Sequence, residues 1–116
     1  MSLMDVDCFD GAVAEAARVL HRDGVFCIAV VHPFDSAHDS PVPGRPLRMS
    51  RPYLQVRRYE DHFERDGLAM TFVSMHRPLG AYTAAIFGNG MVITDLHEHG
   101  DGDIPALLTI RAEKGR

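Results

Sequence analysis

Three places in the sequence gather residue types that can do chemistry. His32 follows the apolar run Val25, Phe26, Cys27, Ile28, Ala29, Val30, Val31 and precedes Pro33 and Phe34. An imidazole titrates near neutrality, so His32 is a candidate general base for a nucleophilic oxygen or nitrogen. The plainer alternative is that it satisfies a loop carbonyl or shapes the turn before Pro33. His76 and Arg77 stand before a predicted helix, where the planar fork of Arg77 suits a carboxylate or pairs with Glu60 or Asp61. The third place holds Asp95, His97, His99, Asp101 and Asp103. His97 and His99 share a face if a strand runs through them, but zinc needs three or four convergent ligands. A calcium loop starting at Asp101 fails because Ala112 stands where the chelating Glu belongs. A solvated turn is expected there, without a metal.

The elements that must hold these residues follow from periodicity. Phe9, Val13, Ala16, Ala17 and Leu20 fall on one helical face, with Asp7 or Asp10 able to accept first-turn amides and Gly24 beyond the end. Val25 to Val31 is apolar without alternation, the pattern of a strand buried on both faces in a parallel sheet. Helix, turn and strand read as half of a βαβ unit whose first strand has only Ser2, Leu3 and Met4 to draw on. Asp35 to Pro52 carries four prolines and no periodicity, which suits a lid or binding loop.

Tyr53 to Glu64 and Leu68 to Ser74 flank an Asp66-Gly67 turn signal and predict a β-hairpin. Pro78 is expected at the first position of a second helix, marked by Leu79, Tyr82, Ile86 and Phe87 and stopped by Gly88, Asn89 and Gly90. Met91 to Leu96 and Leu107 to Ala112 predict an antiparallel strand pair. The chain thus divides into helix and buried strand (1–34), lid (35–52), hairpin insert (53–76), and helix with terminal strand pair (77–116).

Composition limits the function. A length of 116 residues, 46% hydrophobic and 24% charged, fits a single packed domain. A net charge of −4 argues against a nucleic-acid partner. Cys8 and Cys27 can build neither a disulfide framework nor a four-thiolate zinc site, and read as buried thiols of a cytoplasmic protein. The run Val25 to Val31 is too short to span a membrane, and the acidic N-terminus lacks a signal peptide's positive flank.

Glu15, Ala16, Ala17, Arg18, Val19, Leu20, His21, Arg22, Asp23, Gly24, Val25, Phe26 resembles a signature of class I S-adenosylmethionine-dependent methyltransferases. In that family an acid-x-x-Arg-Val-Leu helix end and a Lys/Arg-Pro-Gly-Gly turn lead into the fifth strand. Tyr59 and Glu60, the turn from Glu64 to Leu68, His76 to Leu79, Tyr82 and Gly90 are similar to later segments of a small-molecule branch, in the same order. Arg22 and Asp23 replace the usual Pro and Gly.

The resemblance implies a Rossmann-like α/β sheet, seven-stranded in the family and ending in an antiparallel pair. This chain would form the last strands, with an inserted lid and hairpin. The implied cofactor is S-adenosylmethionine and the implied partner a small-molecule methyl acceptor. The family's Gly-rich loop and ribose-binding acid would precede residue 1, and Gly88 to Gly90 and Gly100 to Gly102 do not open a helix after a buried strand.

Ligands of such sheets bind at the carboxyl ends of the strands. The resemblance therefore places Leu3, Met4 and Asp5 near the cofactor, with helix capping the alternative role for Asp5. It places Phe34, with His32, on the substrate side. Tyr53, Tyr59, His76 and Arg77 are expected around the acceptor, while Met70 and Phe72 are expected to pack on the sheet. Such a piece is expected to be inactive alone. The alternative is a non-catalytic scaffold that completes its sheet with another chain, either as a homodimer through the free edge of Val25 to Val31 or by pairing with a separate polypeptide that supplies the missing N-terminal half.

Overall fold

The computed structural model describes residues 8–37 and 52–115. The first helix, α1 (Phe9–Val19), buries Phe9, Val13 and Ala17, the stripe its periodicity demands. Its N-cap is Cys8, which makes no side-chain capping bond. Asp7 lies outside the described residues, and Asp10 sits in the first turn, where its charge favours the helix dipole.

The chain leaves α1 through a tight turn in which the Gly24 N–H donates to the His21 carbonyl at 2.9 Å. Asp23 has φ 63° there, a left-handed conformation that Asp tolerates better than most residues. A Cβ on Gly24 would stand 2.8 Å from the His21 oxygen, so glycine is required by close approach.

Next come β1 (Val25–Val31), α2 (Pro33–Ala37), β2 (Arg57–Arg65), β3 (Leu68–His76), α3 (Leu79–Gly88), β4 (Met91–His99) and β5 (Leu107–Lys114). The segment read as the start of the lid is therefore helical up to Ala37, and the rest of it, to residue 51, lies outside the described residues. α3 starts one residue later than expected, with Pro78 as its N-cap, and Phe87 is exposed rather than part of its buried face.

The described strands form a sheet of order β1-β5-β4 and a separate β2-β3 hairpin. β5 runs antiparallel to both neighbours, Val30 pairing with Leu108 and Leu96 with Ile110. β1 and β4 therefore point the same way on either side of β5, and their carboxyl ends share one rim. The expectation that β1 is buried on both faces needs correction. Ile28 and Val30 are buried, whereas Val25, Cys27 and Ala29 are exposed, because α1 and α3 pack on the inner face and no described element covers the outer one. Cys27, on that outer face, and Cys8, at the start of α1, are both exposed, not buried.

A β-bulge decides what the far end of β4 presents. Ile93 pairs with Ala112 but Asp95 pairs with Arg111, so Thr94 is an extra residue. Directly opposed residues of an antiparallel pair share a face, and one extra residue flips the parity of everything beyond it. Leu96 and Glu98 thus lie opposite the buried Ile110 and Leu108, while His97 and His99 turn to the other face.

The hairpin closes on Asp66 (φ 54°) and Gly67 (φ 79°), the two left-handed residues of a type I′ turn. Leu68, Met70 and Val73 are all exposed, so Met70 does not pack on the sheet as expected. Among the described residues no helix is long and apolar enough to cross a membrane.

Candidate functional site

Backbone hydrogen bonds stitch the shared rim. His32, one residue past β1, donates its N–H to the Ala106 carbonyl at 3.0 Å, and Ala106 donates to the His99 carbonyl at 2.7 Å. The His32 carbonyl in turn accepts from Asp35 and Ser36 and starts α2. Its imidazole is 1% exposed. The Phe34 N–H donates to Nδ1 at 3.0 Å, which makes Nδ1 the acceptor, so the ring carries its proton on Nε2 and donates it to the Glu98 carboxylate at 2.6 Å.

Both ring nitrogens of His32 are thereby occupied. The Glu98 side chain is 51% exposed, and its second oxygen has no partner among the described residues. The outward-facing acceptor of the pair is therefore the carboxylate.

Four of the residues singled out in the sequence form a continuous chain of rings. His32 and Phe34 have centroids 5.0 Å apart, Phe34 and Tyr53 5.6 Å, and Tyr53 and His76 5.9 Å. Phe34 is 39% exposed, while His76 is buried. His76 Nε2–H donates to the Tyr53 carbonyl at 2.8 Å, and its Nδ1 meets the buried Ser36 hydroxyl, which also lies 3.2 Å from the Pro33 carbonyl. The Tyr53 hydroxyl accepts the N–H of Leu79 at 3.1 Å, tying the hairpin's base to the start of α3. Arg57 donates to the Ser36 carbonyl at 3.2 Å. The base of the hairpin, α2 and the rim of the sheet are thus one hydrogen-bonded unit.

Tyr59 and Arg77 stand apart from this chain. Tyr59 packs half-buried against the hydrophobic core. Arg77 is buried, with its guanidinium 5.3 Å from the Phe9 ring centroid, a cation–π contact. Burial pushes the Tyr82 hydroxyl pKa up, and the charge and hydrogen bond of Arg77 pull partly against that rise. Arg77 also lines a cavity of about 310 Å³ with Cys8, Phe9, Asp10, Val56, Ala81 and Ala84. Leu3, Met4 and Asp5 lie outside the described residues.

His97 bonds Asp95 at 2.9 Å and His99 bonds the Thr109 hydroxyl at 3.1 Å, both on the outer face. Among the described residues no group of three His, Cys, Asp or Glu is placed to hold a metal ion. Sequence reasoning missed Glu98 and Ser36. Glu98 was hidden between two more conspicuous histidines beyond the expected end of the strand, and Ser36 within a segment read as lid. The signal available for both was adjacency to predicted strand ends, where ligands of this kind of sheet gather.

No protein-family model matches the sequence, and no curated protein does. Solved structures do match. A Listeria monocytogenes protein assigned to the S-adenosylmethionine dependent methyltransferases superposes with a TM-score of 0.77 at 22% identity, over 98% of this chain and 58% of that one. An S-adenosylmethionine dependent methyltransferase from Mesorhizobium loti gives 0.73 at 19% identity, with the same coverage of 98% and 58%. The chain therefore has the fold of S-adenosylmethionine-dependent methyltransferases, spanning about 58% of the length of these two structures.

Proposed function

We propose that this chain supplies the acceptor side of an S-adenosylmethionine-dependent methyltransferase acting on a small molecule in the cytoplasm. The observation that carries the reading is the placement of His32, Phe34, Tyr53 and His76 in one ring chain at the carboxyl rim of a sheet with this fold. Methyl transfer from a sulfonium asks mainly for in-line positioning of the acceptor. Phe34 and Tyr53 offer an apolar wall for that purpose, and His76 holds Tyr53 in place. His32, proposed from sequence as the base, acts through Glu98 in this arrangement. Arg77 offers a cation to an acceptor carboxylate from the cavity at α1 and α3.

The described residues do not fit the methyl donor. Gly88 and Gly90 end α3, and Gly100 and Gly102 lie in the connection from β4 to β5, so neither pair cradles a nucleotide at a strand-to-helix turn. The resemblance assigns Leu3, Met4 and Asp5 to the donor side. The reading predicts that calorimetry of the 116-residue chain shows S-adenosylmethionine binding no tighter than roughly 100 μM. Micromolar one-site binding would overturn the assignment of this chain to the acceptor side alone.

One observation favours a second reading, a non-catalytic scaffold. Among the described strands β1 pairs on one edge only, and its outer face exposes Val25, Cys27 and Ala29. Such an edge is a template for another strand. Light scattering separates the two readings: a stable homodimer that β1 substitutions dissolve supports the scaffold, and a monomer counts against it.

A further inference from the structure

Within the acceptor side, the geometry points to a seat for a small organic ammonium group between the carboxyl ends of β1 and β4, with Glu98 as its counter-ion and Phe34 and Tyr53 as its aromatic wall. As an acceptor subsite it rests on the methyl-transfer reading; as a binding site it stands on its own geometry.

Three observations converge. First, β1 and β4 end on the same rim, and the Thr94 bulge turns Glu98 rather than His97 or His99 to the face where His32 lies. Second, Glu98 is held from behind and open in front. The buried His32 donates Nε2–H to one carboxylate oxygen, and that imidazole is itself fixed by the Phe34 N–H at Nδ1 and by its backbone bond to Ala106. The second oxygen, on a side chain 51% exposed, has no partner among the described residues. A carboxylate so oriented is a preorganised acceptor for N–H donors or a cationic head.

Third, the exposed ring in contact with the same imidazole is Phe34, with Tyr53 behind it at 5.6 Å. An anion and an exposed aromatic ring held against one imidazole favour an alkylammonium over a neutral group of equal size, because ring quadrupole and anion both attract a cation. Histidine alone would not give that preference, since its acceptor nitrogen is already used. The substrate class this implies is a small amine.

The test is an NMR titration of the full chain with propylammonium chloride at neutral pH, following the ring resonances of His32, Phe34 and Tyr53. Propan-1-ol serves as the neutral analogue and sodium chloride as the salt control. The expected result is a saturable shift in the roughly millimolar range, with propanol at least about tenfold weaker. Glu98→Gln is expected to weaken propylammonium at least about tenfold, Glu98→Asp less, and Phe34→Leu several-fold. Equal binding of propanol, unchanged binding by Glu98→Gln, or no shift beyond the salt control would each overturn the seat. If Glu98→Gln perturbs the amide spectrum as a whole, the comparison of propylammonium with propanol on the unmodified chain still decides. No methyl donor enters the titration, so the two readings fail separately: absence of an amine shift removes the seat alone, and micromolar donor binding overturns the acceptor-side reading alone.

Discussion

The β1-β5-β4 sheet and the β2-β3 hairpin are both built from strand-forming residues, yet they are stabilised in different ways. The sheet lays Ile28, Val30, Leu108, Ile110 and Ala112 under α1 and α3, all at 2% exposure or less. The hairpin leaves Leu68, Met70 and Val73 in solvent. It is held by its base, where His76 bonds Ser36 and the Tyr53 carbonyl and the Tyr53 hydroxyl receives the Leu79 amide. Among the described side chains, the sheet stands on burial, and the hairpin on directional contacts at its base together with Tyr59 against the core. The candidate site lies where the two meet, taking His32 and Phe34 from the rim and Tyr53 and His76 from the hairpin's side.

That contrast can be broken by substitution. Ile110→Ala removes a side chain from the central strand and is expected to cost about 2–5 kcal/mol in urea unfolding, for lost transfer energy plus the cavity left behind. His76→Ala leaves the Ser36 hydroxyl and the Tyr53 carbonyl without their ring partner. A loss of about 1–3 kcal/mol is expected for such orphaned buried groups, read in the same experiment.

A smaller effect is expected from Tyr82. Burial raises its hydroxyl pKa in the fold, so the folded state holds the phenol proton more strongly than the unfolded chain does. The stability this brings is fully present below about pH 10 and is lost as pH rises through the raised folded value. Thermal melts are therefore expected to fall on alkaline titration, and Tyr82→Phe to flatten that fall. The least effect belongs to Met70→Ala on the exposed hairpin, expected within about 0.5 kcal/mol. A Met70 cost comparable to that of Ile110 would mean that the hairpin has a core of its own.

Much of this arrangement is legible in the residue types and their spacing. The α1 stripe, the Asp66-Gly67 turn, the glycine stop after α3 and the terminal strand pair all rest on local periodicity or on residues with special φ, which sequence reports directly. The proximity of His32 to Phe34 follows from adjacency, and that of Tyr53 to His76 from membership of one hairpin unit.

What was not legible depends on distant partners. The run Val25 to Val31 announces a strand but cannot say that β5, some eighty residues on, would pair with it antiparallel, or that Val25, Cys27 and Ala29 on its outer face would be exposed. Unbroken apolarity suggested burial on both faces, and Cys27 is exposed because it stands on the face away from α1 and α3. The bulge at Thr94 carries no strong mark in the residue types, yet it alone decides whether the histidines or Glu98 face the site. Ser36 was obscured because a five-residue helix has too little length for periodicity to show.

Amide hydrogen exchange on the unmodified chain and on His76→Ala tells whether the site joins a sheet held by burial to a hairpin held at its base. The slowest exchange is expected along β5, from Leu107 to Lys114, and the fastest around Asp66 and Gly67. His76→Ala is expected to speed exchange in β2, β3 and α2 while leaving β1 and β5 unchanged. A single protection class throughout, or opening of β1 and β5 in the variant, would contradict it.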